Sequence, residues 1–211
     1  VSLAHRGVLF LDELPEFAQR TLEVLRQPLE DRVVTISRAR GTLTFPANFM
    51  LVASMNPCPC GFKGYPEQKC VSSPAVCGRY AQRISGPLLD RIDLHLTVPR
   101  LKPDELMGMQ PGESSEMIRS RVSTARALQS ARLGPGKTNG KMSPREIKET
   151  VVLDKACLDF MRAVAAKLNL SARVFDRILK VGRTVADLAG SEQVTTQHLA
   201  EAVQYREKTE L

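Results

Sequence analysis

The sequence predicts an α/β unit, a parallel sheet carrying a β-hairpin insertion, followed by an all-α bundle. Three observations carry this reading. Two short apolar runs, Val8–Leu11 and Phe49–Ala53, each end abruptly in polar residues, as strands buried in a parallel sheet do. Between them, two β-rich stretches flank a glycine-containing turn. From Pro99 onward the apolar residues recur at helical spacing instead. A chain of 211 residues is long enough for one large or two small domains.

In Gly7-Val8-Leu9-Phe10-Leu11-Asp12-Glu13-Leu14, four large apolar residues are too few for a helix of their own and suit a strand buried on both faces. Asp12 and Glu13 then lie at its C-terminal edge, where open α/β sheets bind ligands. Two acids there can divide one task. Asp12 holds Mg²⁺ through water and Glu13 polarises the water that attacks a γ-phosphate, which is Walker B chemistry. The same pair is also compatible with a solvated acidic turn, and residues further along the chain have to decide between the two.

After Pro15, the spacing predicts a helix over 16–26 with Phe17, Leu22 and Leu25 inward, stopping at Gln27 because a residue before proline disfavours helical geometry. Leu29 precedes a charged turn, Glu30-Asp31-Arg32. Val33–Ser37 and Thr42–Phe45 then form a hairpin around Arg38-Ala39-Arg40-Gly41. Its basic tip is either a solubility feature or a grip on phosphates. The strand at 49–54 runs into Met55-Asn56-Pro57; an asparagine beside two strand-edge acids can orient the attacking water without adding charge.

Cys58, Cys60, Cys70 and Cys77 come next, spaced C-x-C-x₉-C-x₆-C among glycines and prolines. Four thiolates on a loop with little core of its own suit a tetrahedral Zn²⁺, although the single-residue gap is tighter than usual; reduced or redox-labile thiols are the alternative. With Cys157 far away, this is no secreted disulfide framework. The stretch 79–85 reads as a basic helix, and 86–93 leads into a strand over 94–98, on which His95 reads as a face residue rather than a ligand. Arg91, between Asp90 and Asp93, either pairs within the chain or, in a ring-shaped ATPase, reaches the neighbouring subunit's nucleotide.

A basic helix over 116–132 leads to a linker, 134–140, that ends a false phosphate-loop motif. Gly136-Lys137-Thr138 fits the end of G-x-x-x-x-G-K-[ST], but Ala131 stands where the first glycine belongs and a helix, not a strand, precedes it. Ser143-Pro144-Arg145-Glu146 is a helix start with a capping box. Leu158, Met161, Ala165 and Leu168 mark the next apolar stripe; Val174, Ile178, Val181, Val185 and Leu188 mark another, from Ser171; Thr196 caps a last helix with Leu199 and Val203 inward. Three such helices make a small bundle. Arg173 sits in the first turn of its helix, where a cation opposes the macrodipole, so it either meets an external anion or is solvated. The resulting division is an α/β core over 1–100, a connecting helix and linker over 101–142, and a helical lid over 143–211.

The net charge of +7 is spread over both halves of the chain, so a surface for an anionic partner has to be made by folding. No apolar run is long enough to cross a membrane and no signal peptide is present, which points to the cytoplasm. The chain opens at Val1 with a strand almost immediately, as a piece of a longer protein would.

Taken together, the 7–17 stretch, Arg26-Gln27-Pro28-Leu29-Glu30-Asp31, Val34-Thr35-Ile36-Ser37-Arg38-Ala39, Ala53-Ser54-Met55-Asn56-Pro57-Cys58-Pro59-Cys60-Gly61, the 86–93 stretch and Ser171–Lys180 closely resemble the YifB/ComM family of bacterial magnesium-chelatase-like AAA+ ATPases. The resemblance covers nearly the whole chain. It implies the second half of an AAA+ P-loop NTPase core with its lid: Asp12 and Glu13 as Walker B, Asn56 as sensor 1, Arg91 as the arginine finger, Arg173 as sensor 2, and the Arg38/Arg40 hairpin as the one that faces the central channel in related helicases. ATP and Mg²⁺ are the implied cofactors and a homo-oligomeric, hexameric ring acting on DNA the implied assembly. The family's Walker A loop and Lon-protease-like domain would precede Val1, so the chain alone is expected to hydrolyse ATP negligibly. Three functions are open: a DNA-remodelling motor of the branch-migration type, a chelatase-like subunit or protein remodeller, and a zinc-containing DNA-binding module. DNA-stimulated ATPase marks the first, ATPase stimulated only by a protein the second, and DNA binding by the cysteine loop alone the third.

Overall fold

The computed structural model describes residues 1–39, 41–65, 68–99, 101, 107–108 and 112–206. The chain forms two compact units, Val1–Ile92 and Asp93–Glu207. The break thus falls within the segment that leads from the cysteine loop to the helices.

In the first unit, strand β1 (Val8–Leu11) pairs in parallel with β4 (Met50–Ala53), Val8 opposite Met50 and Leu11 opposite Ala53. Alternation along β1 sends Leu9 and Leu11 to one face, where they pack with Leu14, Leu22, Leu25, Ile84 and Leu88. The other face does not fit the expectation of a strand buried on both sides: Val8, Phe10 and Met50 are 60%, 59% and 64% exposed. An apolar run reports that a strand belongs to a sheet, but burial of each face needs a layer packed on it, and the helices of this unit cover only one.

Helix α1 (Gln19–Val24) and helix α2 (Arg26–Asp31) replace the single helix expected over 16–26. Leu22 and Leu25 are buried as expected, whereas Phe17 is exposed because it lies before α1, at the end of a short 3-10 turn. Pro28 does not stop the chain from being helical. It occupies the first turn of α2, where backbone N–H groups have no intrahelical acceptor to lose, and the helix ends instead at Arg32 in left-handed geometry (φ 59°). Strands β2 (Val33–Arg38) and β3 (Gly41–Pro46) form the hairpin, in register from Val33–Pro46 to Arg38–Gly41, with the Thr35–Thr44 and Ser37–Thr42 hydroxyl pairs on one face. Helix α3 (Pro74–Ala81) begins earlier than the basic pattern at 79–85 suggested, because Ser73 caps it and Pro74 starts it; Cys77 therefore sits on a helix rather than in the loop. Helix α4 (Gly86–Leu89), capped by Ser85, buries Leu88.

The segment 94–98 is not a strand. His95 donates its backbone N–H to the Tyr205 carbonyl (2.9 Å), and its β-like sequence finds no ladder partner among the described residues.

The second unit is helical: α5 (Ser115–Leu133), α6 (Pro144–Thr150), α7 (Lys155–Leu168), α8 (Ala172–Leu188) and α9 (Thr196–Gln204). Its core gathers Met142, Ile147, Cys157, Met161, Val174, Ile178, Ala186, Leu199 and Val203. Leu158 and Leu188 lie outside it, exposed, because each falls one residue from the true stripe; Cys157 and Asp187 hold the inward positions. Helices α8 and α9 approach closely at Gly182, where a Cβ would stand 2.9 Å from Leu199 Cδ2. Ser143 and Glu146 form the expected capping box, while α9 is capped by Thr195, not Thr196, with His198 Nδ1 accepting the Thr195 N–H (3.1 Å).

Asp187 is the centre of a buried polar cluster. Arg132 donates to both its oxygens (3.0 and 2.7 Å), Asn139 donates Nδ2–H (2.7 Å), and Arg183 donates Nε–H (3.1 Å). Arg183 also reaches the carbonyls of Ser191 and Glu192 just past the end of α8. This cluster ties α5, the turn at Asn139 and α8 together, so that α5, read from sequence as a connector, packs with the second unit.

Candidate functional site

The parallel pairing of β1 with β4 brings the C-terminal ends of both strands to one edge. Register then fixes what meets there. Ser54 N–H donates to Leu11 O (3.0 Å) and Leu14 N–H to Ser54 O (2.9 Å), so Asp12 and Glu13 form a tight turn against the end of β4. Ser54 Oγ–H donates to Asp12 Oδ1, which also accepts the Glu13 N–H (3.1 Å). Both bonds use one oxygen; Oδ2 accepts none among the described residues, and the carboxylate is exposed. That geometry fits an acid that binds hydrated Mg²⁺ outward while its inner oxygen is held still.

Glu13 adopts a left-handed backbone (φ 50°, ψ 50°), rare for a residue with a Cβ and costing about 1–3 kcal/mol. The bend turns the chain directly into the 3-10 turn Leu14–Glu16, with Leu14 and Pro15 buried, and leaves the Glu13 side chain exposed at the sheet edge. Asn56, two residues beyond Ser54 on the neighbouring strand's exit, is exposed as well. The parallel pairing thus puts the exits of both strands at one edge of the sheet, Asp12 and Glu13 following β1 and Asn56 following β4.

Two residues that the sequence did not single out support this edge. Arg83 donates Nη1–H to the Pro15 carbonyl (3.1 Å) and to Glu16 Oε2 (3.0 Å), fastening the stretch after α3 to the turn behind Glu13. Burial, together with the charge of Glu16, pushes the Tyr80 phenol up, while a hydrogen bond from the backbone of Asn56 pulls it down. No local pattern announces either contact; an aromatic residue on a short helix and a basic one just past its end are ordinary surface composition.

Arg91 is engaged within the first unit. Its Nη1–H donates to Pro87 O (2.8 Å) and its Nη2–H to Glu30, and its side chain is 9% exposed. Within the unit, the guanidinium thus has Glu30 on α2 as an ion-pair partner. Nearby, Glu23 accepts from Ser85 Oγ and from Arg26 (2.7 Å), which together hold its carboxyl below the usual range, the Ser85 bond contributing most.

At the hairpin, Arg38 is the last ladder residue, opposite Gly41, and is exposed. Arg40 lies outside the described residues. Arg173 is in the first turn of α8, exposed, in the second unit. Lys137, of the false phosphate-loop motif, pairs with Glu146, the capping-box acid of α6. That ammonium is thus employed in holding a helix start, in keeping with the rejection of the motif as a phosphate loop.

Three cysteines of the loop and Cys77 of α3 gather into one cluster. Cys58 Sγ is 3.3 Å from Cys60 Sγ and 3.6 Å from Cys70 Sγ, and Cys70 Sγ is 3.3 Å from Cys60 Sγ and 3.7 Å from Cys77 Sγ. All are free thiols. A hydrogen bond from the Phe62 backbone draws the Cys60 thiol down to about 5, and the Cys60 sulfur beside it pushes Cys70 up to about 12. No helix among the described residues is long and apolar enough to cross a membrane.

Comparison with known families matches residues 1–106 to magnesium chelatase, subunit ChlI, and residues 112–206 to the ChlI C-terminal family. Among curated relatives, the uncharacterized protein YifB of Escherichia coli is 44% identical over 98% of this chain and 40% of its own length. Competence protein ComM of Haemophilus influenzae is 45% identical over the same shares, and an uncharacterized Mycobacterium tuberculosis protein is 38% identical over 98% of this chain and 41% of its own. The chain thus spans about 40% of the length of these relatives.

Proposed function

The chain belongs to the magnesium chelatase ChlI family, with a sequence of the YifB/ComM kind, and from that premise we propose that it supplies the Walker B, sensor and lid portion of an AAA+ ATPase that remodels DNA. The observation that carries the proposal is the strand edge: two adjacent acids and an asparagine on neighbouring parallel strands, with Asp12 held by Ser54.

Bound Mg²⁺ would neutralise charge on the phosphates; the chain's residues do the rest. Asp12 would hold such an ion through water, its inner oxygen being kept in place by Ser54 and the Glu13 N–H. Glu13, set at the sheet edge by its left-handed turn, accepts a proton from the attacking water, and Asn56 holds that water in line by hydrogen bonds. Arg91 acts across a subunit boundary once it exchanges Glu30 for the neighbour's nucleotide, and Arg173 meets the phosphates from the lid. A ring of such subunits, hexameric and cytoplasmic, would line its channel with Arg38 and Arg40 and track a phosphate backbone without reading bases.

The test is ATP hydrolysis by the full-length protein with and without forked DNA. We expect stimulation by DNA, and loss of hydrolysis with retained ATP binding in Glu13→Gln. Replacing Arg38 and Arg40 with alanine should leave basal hydrolysis intact and flatten the salt dependence of DNA binding by about one log–log unit per lost phosphate contact. An ATPase indifferent to DNA but stimulated by a protein partner would move the reading to a chelatase-like subunit or protein remodeller.

A further inference from the structure

The cysteine cluster has no part in the proposed ATPase chemistry, and its geometry is specific. A tetrahedral Zn²⁺ with Zn–S bonds of about 2.3 Å holds its sulfurs about 3.8 Å apart. Four of the six sulfur pairs here already stand at 3.3–3.7 Å, with Cys70 touching the other three, and Cys58 lies within 4.8 Å of Cys77. Disulfide bonding would need sulfurs at about 2.05 Å and would use the thiols in pairs, not as a cluster of four. Thiolates that each bind a different iron of a cluster would have to stand further apart than this.

The surrounding backbone is built for the same purpose. Cys58 begins a turn closed by the Gly61 N–H to the Cys58 carbonyl (3.0 Å), with Gly61 in left-handed geometry (φ 79°), and the Lys63 N–H points at Cys58 Sγ (3.3 Å). That bond stabilises a thiolate and orients it, as supporting bonds around metal ligands do. Among the described residues, the apolar cluster of this unit contains none between Met55 and Ile84, although Cys58 is wholly buried.

We propose that Cys58, Cys60, Cys70 and Cys77 hold one structural zinc ion, which staples the segment leaving Asn56 to helix α3. Binding forms four Zn–S bonds and releases the protons of whichever thiols are still protonated, leaving a closed site of net charge −2 with no open coordination position. The ion therefore takes no part in hydrolysis. Its effect is positional: Asn56 lies two residues before Cys58, and the same helix that carries Cys77 carries Tyr80, whose hydroxyl meets the Asn56 backbone. The zinc site stands on the sulfur geometry alone, while its consequence for hydrolysis rests on reading Asn56 as the residue that orients water.

Elemental analysis of the full chain, purified reduced and metal-replete, tests the site without reference to ATPase. About one zinc per chain is expected, released by a thiol-specific mercurial in step with four sulfurs. Replacement by Co²⁺ should produce the visible absorption of a tetrahedral tetrathiolate ion in wild type. Cys70→Ser should lose the zinc and the cobalt spectrum, and Cys157→Ser, in the helical unit, should retain both. Absence of zinc from the wild-type protein, iron in its place, or zinc retained by Cys70→Ser would overturn the proposal. Loss of metal with unchanged DNA-stimulated turnover would leave the zinc site standing and remove only its link to Asn56.

Discussion

The helical unit and the sheet unit solve opposite problems with similar material. In the helical unit, thirteen buried apolar side chains form one core, and its charged interior is closed: Asp187 is met by Arg132, Arg183 and Asn139. In the sheet unit five buried apolar side chains among the described residues cluster beneath β1 and β4, the opposite strand face is exposed, and the acids Asp12 and Glu13 stand at an open edge. Charge is neutralised where it only builds and left available where it can act. The difference teaches that a buried ion cluster and an exposed acidic pair, alike in sequence as polar interruptions of apolar runs, are told apart by whether other elements bring counter-charges to them.

The largest expected effect tests the open edge. Arg91→Ala in the full-length protein should lower ATP hydrolysis by about 10³ if the residue acts on transferring phosphate. Glu30→Ala removes one acceptor of that guanidinium, the Pro87 carbonyl remaining, and should leave hydrolysis largely in place. Mixed rings of Arg91→Ala and Glu13→Gln subunits should regain activity, since each supplies what the other lacks at a shared site. If Glu30→Ala is as damaging as Arg91→Ala, the arginine serves the fold of the sheet unit and the contrast between the units weakens.

Next comes the closed cluster. Asp187→Ala leaves two arginines facing a buried space without their acid and should destabilise the helical unit by about 3–5 kcal/mol, read from denaturant unfolding of the chain. Gly182→Ala should cost about 1–3 kcal/mol, because the added methyl meets the fully buried Leu199 side chain at the α8–α9 contact. Unfolding curves that coincide with wild type would show that the cluster, or the helix contact, tolerates rearrangement.

The smallest effect is at the helix start of α6. Lys137, with the Ser143 backbone and hydroxyl adding to it, holds the Glu146 carboxyl down to about 2 from an ordinary 4.5. Because folding lowers this pKa, its contribution to stability is complete above about pH 4.5 and fades as pH falls toward about 2. Glu146→Gln should therefore narrow the gap in Tm between pH 7 and pH 3, measured by thermal unfolding. An unchanged gap would mean that the Lys137–Glu146 pair does not survive in solution.

Local chemistry makes much of this legible in the sequence. Four apolar residues followed by two acids specify a strand and its edge; Ser143-Pro144-Arg145-Glu146 specifies a helix start; β-rich runs around Gly41 specify a hairpin. In each case the information spans only a few residues, within reach of backbone sterics and capping hydrogen bonds. Local rules also misled where they were applied alone. Pro28 predicts a helix stop but stands in the first turn of a second helix, and the 94–98 run predicts a strand although no neighbour among the described residues offers it a ladder.

By itself, then, the sequence determined most of the element types, that Asp12 and Glu13 end the first strand, and the family to which the chain belongs. Tertiary structure alone decided which face of β1 is covered, that Arg91 rests on Glu30, that Arg83 and Tyr80 brace the edge, that Arg132 and Arg183 converge on Asp187, and that Cys58, Cys60, Cys70 and Cys77 meet within 3.3–3.7 Å of Cys70 or one another. The physical reason is range. Propensity and periodicity act over one or two turns of chain, whereas an ion pair, a thiolate cluster or a covered face depends on elements tens of residues apart being brought together, and their burial decides what each charge or sulfur is worth.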